Sequence, residues 1–210
     1  MVSYRIDLAG YPEFLHRIVR SWYTWQGAYL LSQGKHPGYD QREPRLWETE
    51  AHVFWDGRPP EMTSINELGF IDDGGVSEYL VWENGRYFID EQERGSRDRY
   101  WMLNHYPDAE KLLLFSIGKR ALSGRYIDSP AMDRLERAVD PRVTLSKPDL
   151  LNYPGRVSLR VNGEDDDRGW MGETDATAAS HIVFLSLEDL DSLLREGLPA
   201  DWFTTSTQGD

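Results

Sequence analysis

YLVWENGRYFIDEQERG, residues 79–95, is the stretch on which the fold turns. Asn84-Gly85 is the pair that most readily takes positive φ at both central positions of a type I′ turn, so two strands are expected to fold back on each other here. Tyr79, Val81, Tyr87 and Ile89 alternate against Leu80, Trp82 and Phe88. Both faces are apolar, and a sheet built from such strands is expected to be covered on both sides, at least in part. After Ile89 the pattern gives way to the charged tail EQERG (91–95). That tail reads as a solvated loop, a catalytic rim or a surface shaped for another protein.

Working outward, AHVFW (51–55) has strand composition and stops at DGRPP, because Pro59-Pro60 cannot join a ladder. ELGFI (67–71), the hairpin and RYWML (99–103) continue the series. Strands joined by short turns imply an antiparallel meander. Upstream, PEFLHRIVRSWYTWQ (12–26) puts Phe14, Leu15, Ile18, Val19, Trp22 and Trp25 on one helical face, with Pro12 in the first turn and Gly27 at the exit. A polar surface loop is expected from Gln33 to Arg45. Downstream, a second helix is expected from Pro107 to Gly118, with KLLLFSI packed on the sheet. A third, SPAMDRLERAV (129–139), has Ser129 as N-cap and is ended by Pro141. RVSLRV (156–161) reads as a half-exposed strand and HIVFL (181–185) as a buried one. SLEDLDSLLREG reads as a last helix, with Ser186 as N-cap, Asp189 in a capping-box-like position and Gly197 at C′. The expected fold is therefore α+β: a mainly meander antiparallel sheet packed against helices, in a single domain over 1–205 with a disordered tail at 206–210.

Composition bounds the function. Hydrophobic residues make up 40% and charged residues 28% of 210, as in a globular domain, and eight Trp with eleven Tyr supply large packing units. No apolar run reaches the roughly 20 residues of a membrane span. MVSYRIDLAG has no apolar core of a signal peptide, and the absence of cysteine removes disulfides and thiol chemistry. A cytoplasmic location is expected. A formal net charge of −13 repels nucleic acid and anionic membrane, and would steer a basic protein inward.

Tests for catalytic motifs fail on spacing. GAYLLSQGKH has six residues between Gly27 and Gly34 where a phosphate loop needs four, and there is no G-x-G-x-x-G, G-x-S-x-G or H-E-x-x-H. The histidines, His16, His36, His52, His105 and His181, are scattered. NGEDDDRGWMG (162–172) gathers Glu164, Asp165, Asp166 and Asp167 without the alternation of a calcium loop, so solvated turn, partner-facing loop and metal site all stay open. Arg168 and Trp170 are residue types enriched at interface hot spots. Asp72, Asp73, Glu91 and Glu93 could supply paired carboxylates to a small carbohydrate-active hydrolase, the alternative reading.

Read as a unit, ENGRYFIDEQERGSRDRYWMLNHYPDAEKLLLFSIG resembles the core of the bacterial immunity-protein family that contains the immunity factor of the tuberculosis necrotizing toxin. Gly85, Tyr87, Glu93, Arg94 and Gly95 match the family's hairpin, and Asp108, Glu110, Leu112, Leu113 and Gly118 its helix. VFWDG (53–57) and HIVFLSLEDLDSLL also look like family segments, while 119–180 has no close match. The resemblance implies an α+β protein with no catalysis of its own, which binds a cognate secreted toxin in the producing cell and blocks its active site; no metal or cofactor is expected. For the named member, the toxin hydrolyses NAD. Candidate partner-binding residues are Gln92 and Arg94 in the tail, and Asp165, Asp166, Asp167, Arg168 and Trp170 in the second loop, their carboxylates facing a basic toxin. Arg94 has a competing structural reading, a brace to Glu110 that ties hairpin to helix.

Overall fold

A computed structural model describes residues 2–4, 8–33, 58–147, 154–203 and 205–207. The expected strand at 51–55, and the expected loop beyond Gln33, lie outside these residues.

Asn84 and Gly85 take φ of 52° and 75°, and the strands they join, β4 (Val76–Glu83) and β5 (Arg86–Glu93), pair from Glu83↔Arg86 to Val76↔Glu93. The tail is no loop. Glu91, Gln92 and Glu93 belong to β5, and Arg94-Gly95 (φ 51° and 82°) is a second two-residue turn into β6 (Ser96–Leu103). With β2 (Glu61–Ser64) and β3 (Glu67–Phe70) these strands form the meander that the turn spacing implies. β7 (Val143–Ser146), β8 (Arg156–Val161) and β9 (Gly169–Gly172) extend it to eight antiparallel strands in the order β2-β3-β4-β5-β6-β9-β8-β7. β1 (Val2–Tyr4) pairs parallel with β10 (Thr205–Thr207), so a strand stands where the disordered tail was expected to begin. The architecture is α+β.

The register corrects the expected faces of the hairpin. Leu80↔Ile89 and Trp82↔Tyr87 share the inner face, and Val81↔Phe88 and Tyr79↔Asp90 the outer one, because antiparallel partners project to the same side. Leu80 and Ile89 join the main core with the helices; Tyr79, Val81 and Phe88 form a small second cluster with Ile71 and Met102.

Helices cover the inner face. α1 (His16–Ser32) follows a 3-10 turn at Glu13–Leu15 and runs past Gly27, because Ala28, Tyr29 and Leu30 are also buried. A mid-helix glycine costs about 1 kcal/mol, less than the roughly 2 kcal/mol gained by burying one large apolar side chain. α2 (Tyr106–Leu122) likewise passes Gly118, where a Cβ would stand 2.8 Å from Leu194 Cδ1. That glycine lets α2 approach α5 (Leu187–Arg195) and does not end a helix. α3 (Pro130–Leu135) is capped by the Ser129 hydroxyl, which accepts from Met132 N at 3.2 Å, but it is shorter than expected and leaves Val139 outside.

HIVFL is not a strand. α4 (Glu173–Ile182) ends within it, since Ala176, Ala178, Ala179 and Ser180 are buried on a helix that the β-branched tail merely finishes. Buried Lys111 of α2 donates to the Val183 carbonyl at 3.0 Å, supplying a cation at the C-terminal end of α4. α5 begins as expected, with Ser186 accepting from Asp189 N at 3.0 Å, and Gly197 follows it at φ 84°. Two buried tryptophans tie helix to sheet and helix to helix: Trp101 Nε1 donates to Asp175 at 2.8 Å, and Trp25 Nε1 to Asp191 at 3.0 Å.

Candidate functional site

The two groups of expected partner-binding residues stand at opposite ends of the sheet. Arg94 occupies the turn between β5 and β6, while the 162–168 loop leaves β8 beside Leu103, at the far end of β6. One inhibitory edge cannot contain both.

Arg94 is 91% exposed and touches its neighbour Glu93 at 3.4 Å. The brace to Glu110 is not formed: Glu110 is fully buried on α2 and is bound by Arg17, whose Nε donates at 3.2 Å and whose Nη2 also meets the carboxylate. Gln92 lies on the outer face and accepts from the Tyr79 hydroxyl at 3.1 Å. In the loop, Arg160 donates to the Asp165 carbonyl at 2.5 Å and pairs with Asp167 at 3.3 Å, and Asp165 and Asp166 are exposed. Among the described residues no three His, Asp or Glu side chains gather as a metal site requires.

Arg168 is a structural brace. Its Nε and Nη2 donate to Glu164 at 2.7 and 2.5 Å, and its Nη1 reaches buried Asp108 at 3.2 Å, which also pairs with Lys111 at 2.9 Å. Its hydrogen bonds to Glu164 hold it in the charged form more firmly than burial opposes, and they hold Glu164 below the usual carboxylate range. The loop is thereby fastened to the first turn of α2.

Trp170 leads elsewhere. On β9 it pairs with Met102 and Ser158 on the outer face, and it borders a cleft of about 460 Å³ lined by Arg86, Phe88, Arg99, Met102, Pro154, Arg156 and Trp170. Here the second apolar cluster is roofed by arginines. Arg97 lies 4.0 Å from the Tyr79 ring centroid and Arg99 3.8 Å from that of Phe88, planar cations laid on aromatic faces. Carboxylates hold both in place. Arg97 pairs with Glu67 at 2.7 Å and Asp90 at 2.9 Å, and Arg99 with Glu83 at 2.9 Å. Burial would raise Glu67, but hydrogen bonds from Arg97 and Thr63 outweigh it and keep its pKa lowered. Arg156 donates to the Arg99 carbonyl at 3.1 Å and lies 5.9 Å from the Trp170 ring centroid.

Of the lining residues, only Trp170 was among the sequence candidates. Period-two alternation does place Arg86 with Phe88, yet bringing Arg99, Pro154 and Arg156 beside them takes the β6-β9-β8 pairing, which joins segments far apart in the chain.

The inner face holds a carboxylate pair. Glu78 and Glu91 sit directly opposite on β4 and β5. Glu78 is buried and accepts from Ser116 at 2.8 Å and from Arg120 Nη2 at 2.7 Å. Burial pushes Glu91 up to about 7, aided by Glu78 and opposed by Arg120. Asp72 and Asp73 do other work: Asp72 accepts from Gly74 N at 3.1 Å and Asp73 pairs with Arg58 at 2.8 Å.

A folded sheet with one helix-covered face and one arginine-roofed face thus defines the class of the molecule. No protein-family model matches the chain, and no curated protein matches it. Among solved structures it is similar to Rv3902c from M. tuberculosis, with a TM-score of 0.50 and 16% identity over 90% of this chain and 91% of that one. The likeness spans nearly all of both chains and shows a shared fold.

Proposed function

We propose that this protein is an immunity protein, which binds a cognate secreted toxin in the producing cell and blocks its active site by protein–protein contact. The observation that carries this reading is the outer sheet face. Arginines and aromatics, residue types enriched at interfaces, are concentrated around one cleft there; Arg99 is held by its ion pair with Glu83 and its stacking on Phe88, and Arg156 by its hydrogen bond to the Arg99 carbonyl. Preorganised side chains lose little entropy on binding, which favours tight inhibition. The resemblance of residues 83–118 to the immunity family supports the same reading, and makes an NAD-hydrolysing toxin the expected target. An interface of roughly 800 Å² per partner would be required.

Co-expression with the toxin of the neighbouring gene tests this. The pair should co-purify, and NAD consumption should stop at equimolar protein. Failure to co-purify, with NAD loss unchecked by excess protein, overturns the reading.

A second reading, hydrolysis by paired carboxylates, is favoured by the opposed Glu78 and Glu91 with their raised proton affinity at Glu91. It requires turnover of a glycoside that Glu91→Gln abolishes. Against it stands Glu78, whose carboxylate is buried and already held by Ser116 and Arg120.

A further inference from the structure

We propose that a proton on Glu91 fastens the last turns of α2 to the sheet, and that its loss as pH rises lets residues 116–122 open locally. The switch rests on neither the immunity nor the hydrolase reading. It stands on a row of like charges. Glu78, Glu91 and Asp98 lie directly opposite one another on β4, β5 and β6, and antiparallel partners project to the same side of the sheet. Of the three, Glu78 alone is paired among the described residues. Ser116 donates to its two carboxylate oxygens at 2.8 and 3.0 Å, and Arg120 donates to Oε1 from Nε at 3.1 Å and from Nη2 at 2.7 Å. These bonds, all from the last two turns of α2, hold the helix end on the row.

Neutral Glu91 is tolerated beside ionised Glu78; an ionised one is not. Like charges directly opposite on neighbouring strands repel, and a partly buried carboxylate loses hydration that no bonded group here replaces. The groups facing Glu91 set the balance. Burial and Glu78 on β4 press it toward the neutral form and Asp175 on α4 adds to them, while Arg120 on α2 and Arg156 on β8 pull the other way. The outcome is a carboxyl pushed up to about 7. Once ionised, Glu91 competes with Glu78 for Arg120, the guanidinium that holds α2 down. The helix end is where the structure yields, because it is already weak. Leu122 is followed by Ser123 at φ 50° and ψ −131°, a backbone conformation that strains any residue but glycine, and residues 123–125 are exposed. β4 and β5, by contrast, are paired along their whole length. Lifting 116–122 hydrates both carboxylates and breaks no strand pairing.

Amide hydrogen exchange of the full chain tests this, followed by NMR at pH 6 and pH 8 and corrected for the intrinsic pH dependence of exchange. A carboxyl whose pKa is raised in the closed state and ordinary in the open one stabilises the closed state below neutral pH and ceases to do so above it. With values of about 7 and 4.5, protection of residues 116–122 should fall about tenfold from pH 6 to pH 8. The same amides should be less protected than those of Leu80 and Ile89 at the centre of the sheet, which are expected to exchange through global unfolding. In Glu91→Gln the fall should vanish. The side-chain carboxyl carbon of Glu91 should titrate near pH 7, with the amides of Ser116 and Arg120 shifting at the same midpoint. Protection of 116–122 that does not change with pH in the wild type, or that still falls in Glu91→Gln, overturns the proposal. Protection equal to that of Leu80 and Ile89 at both pH values shows that only global unfolding exposes Glu91, and overturns the local opening. A Glu91 midpoint at its ordinary value overturns the proton switch itself.

Discussion

Glu91 is a carboxyl group whose setting, not its type, fixes its titration. Burial raises it to about 7 from its ordinary 4.5, and cross-strand Glu78 adds to the rise. A group with a raised folded pKa contributes its full stability below the unfolded value and loses it as pH climbs through the folded one. Stability should therefore fall between about pH 4.5 and pH 7, by about 2 kcal/mol once partial exposure is allowed for. Urea unfolding at pH 5 and pH 8 checks this: Glu91→Gln should flatten that fall and be the more stable protein at pH 8, and an unchanged slope would refute the assignment. Arg94 and Arg168 teach the same lesson in opposite directions. Both stand in charged loops or turns of the sequence, yet Arg168 is locked between Glu164 and Asp108 while Arg94 is left in solvent. The choice lies in which carboxylates the fold brings near, and sequence spacing could not make it.

At the scale of elements, local chemistry was legible wherever it was self-contained. The Asn84-Gly85 turn, the Ser129 and Ser186 caps and Gly197 after α5 each depend on neighbours within a few residues, and each is found. Misreadings arose where packing overrode propensity. Gly27 and Gly118 read as stops but sit inside helices, and HIVFL reads as a strand but closes α4. Lys111 belongs to this scale, because it joins three elements: it pairs with Asp108 on its own helix, caps α4 at Val183, and shares Asp108 with the Arg168 loop. Lys111→Met should cost about 3 kcal/mol, since Asp108 keeps only Arg168 and the Val183 carbonyl loses its donor. Denaturant unfolding measures it, and a loss under about 1 kcal/mol would show that the buried cation is not needed.

At the scale of the molecule, the meander and the β7-β8 hairpin become one sheet through β9, whose Gly169 and Trp170 pair with Leu103 and Met102. Gly169 has φ 144°, and a Cβ there would stand 2.0 Å from the Met102 carbonyl oxygen, a backbone atom that cannot swing aside. Gly169→Ala should cost at least about 3 kcal/mol and speed hydrogen exchange in β8 and β9 more than in β4 and β5. Uniform exchange across the sheet would show that the junction is not the weak point. The same junction assembles the cleft, by laying Trp170 and Arg156 alongside Phe88 and Arg99. By itself the sequence determined the α+β class, the central hairpin with its meander and the helix caps, because periodicity and turn chemistry act over a few residues. Only the tertiary structure decided which face of the hairpin meets the helices, that the two expected partner loops lie at opposite ends, and that arginines from β5, β6 and β8 share one apolar cleft. Those outcomes depend on strand register and on pairing between distant segments, where a shift of one residue sends every side chain to the other face.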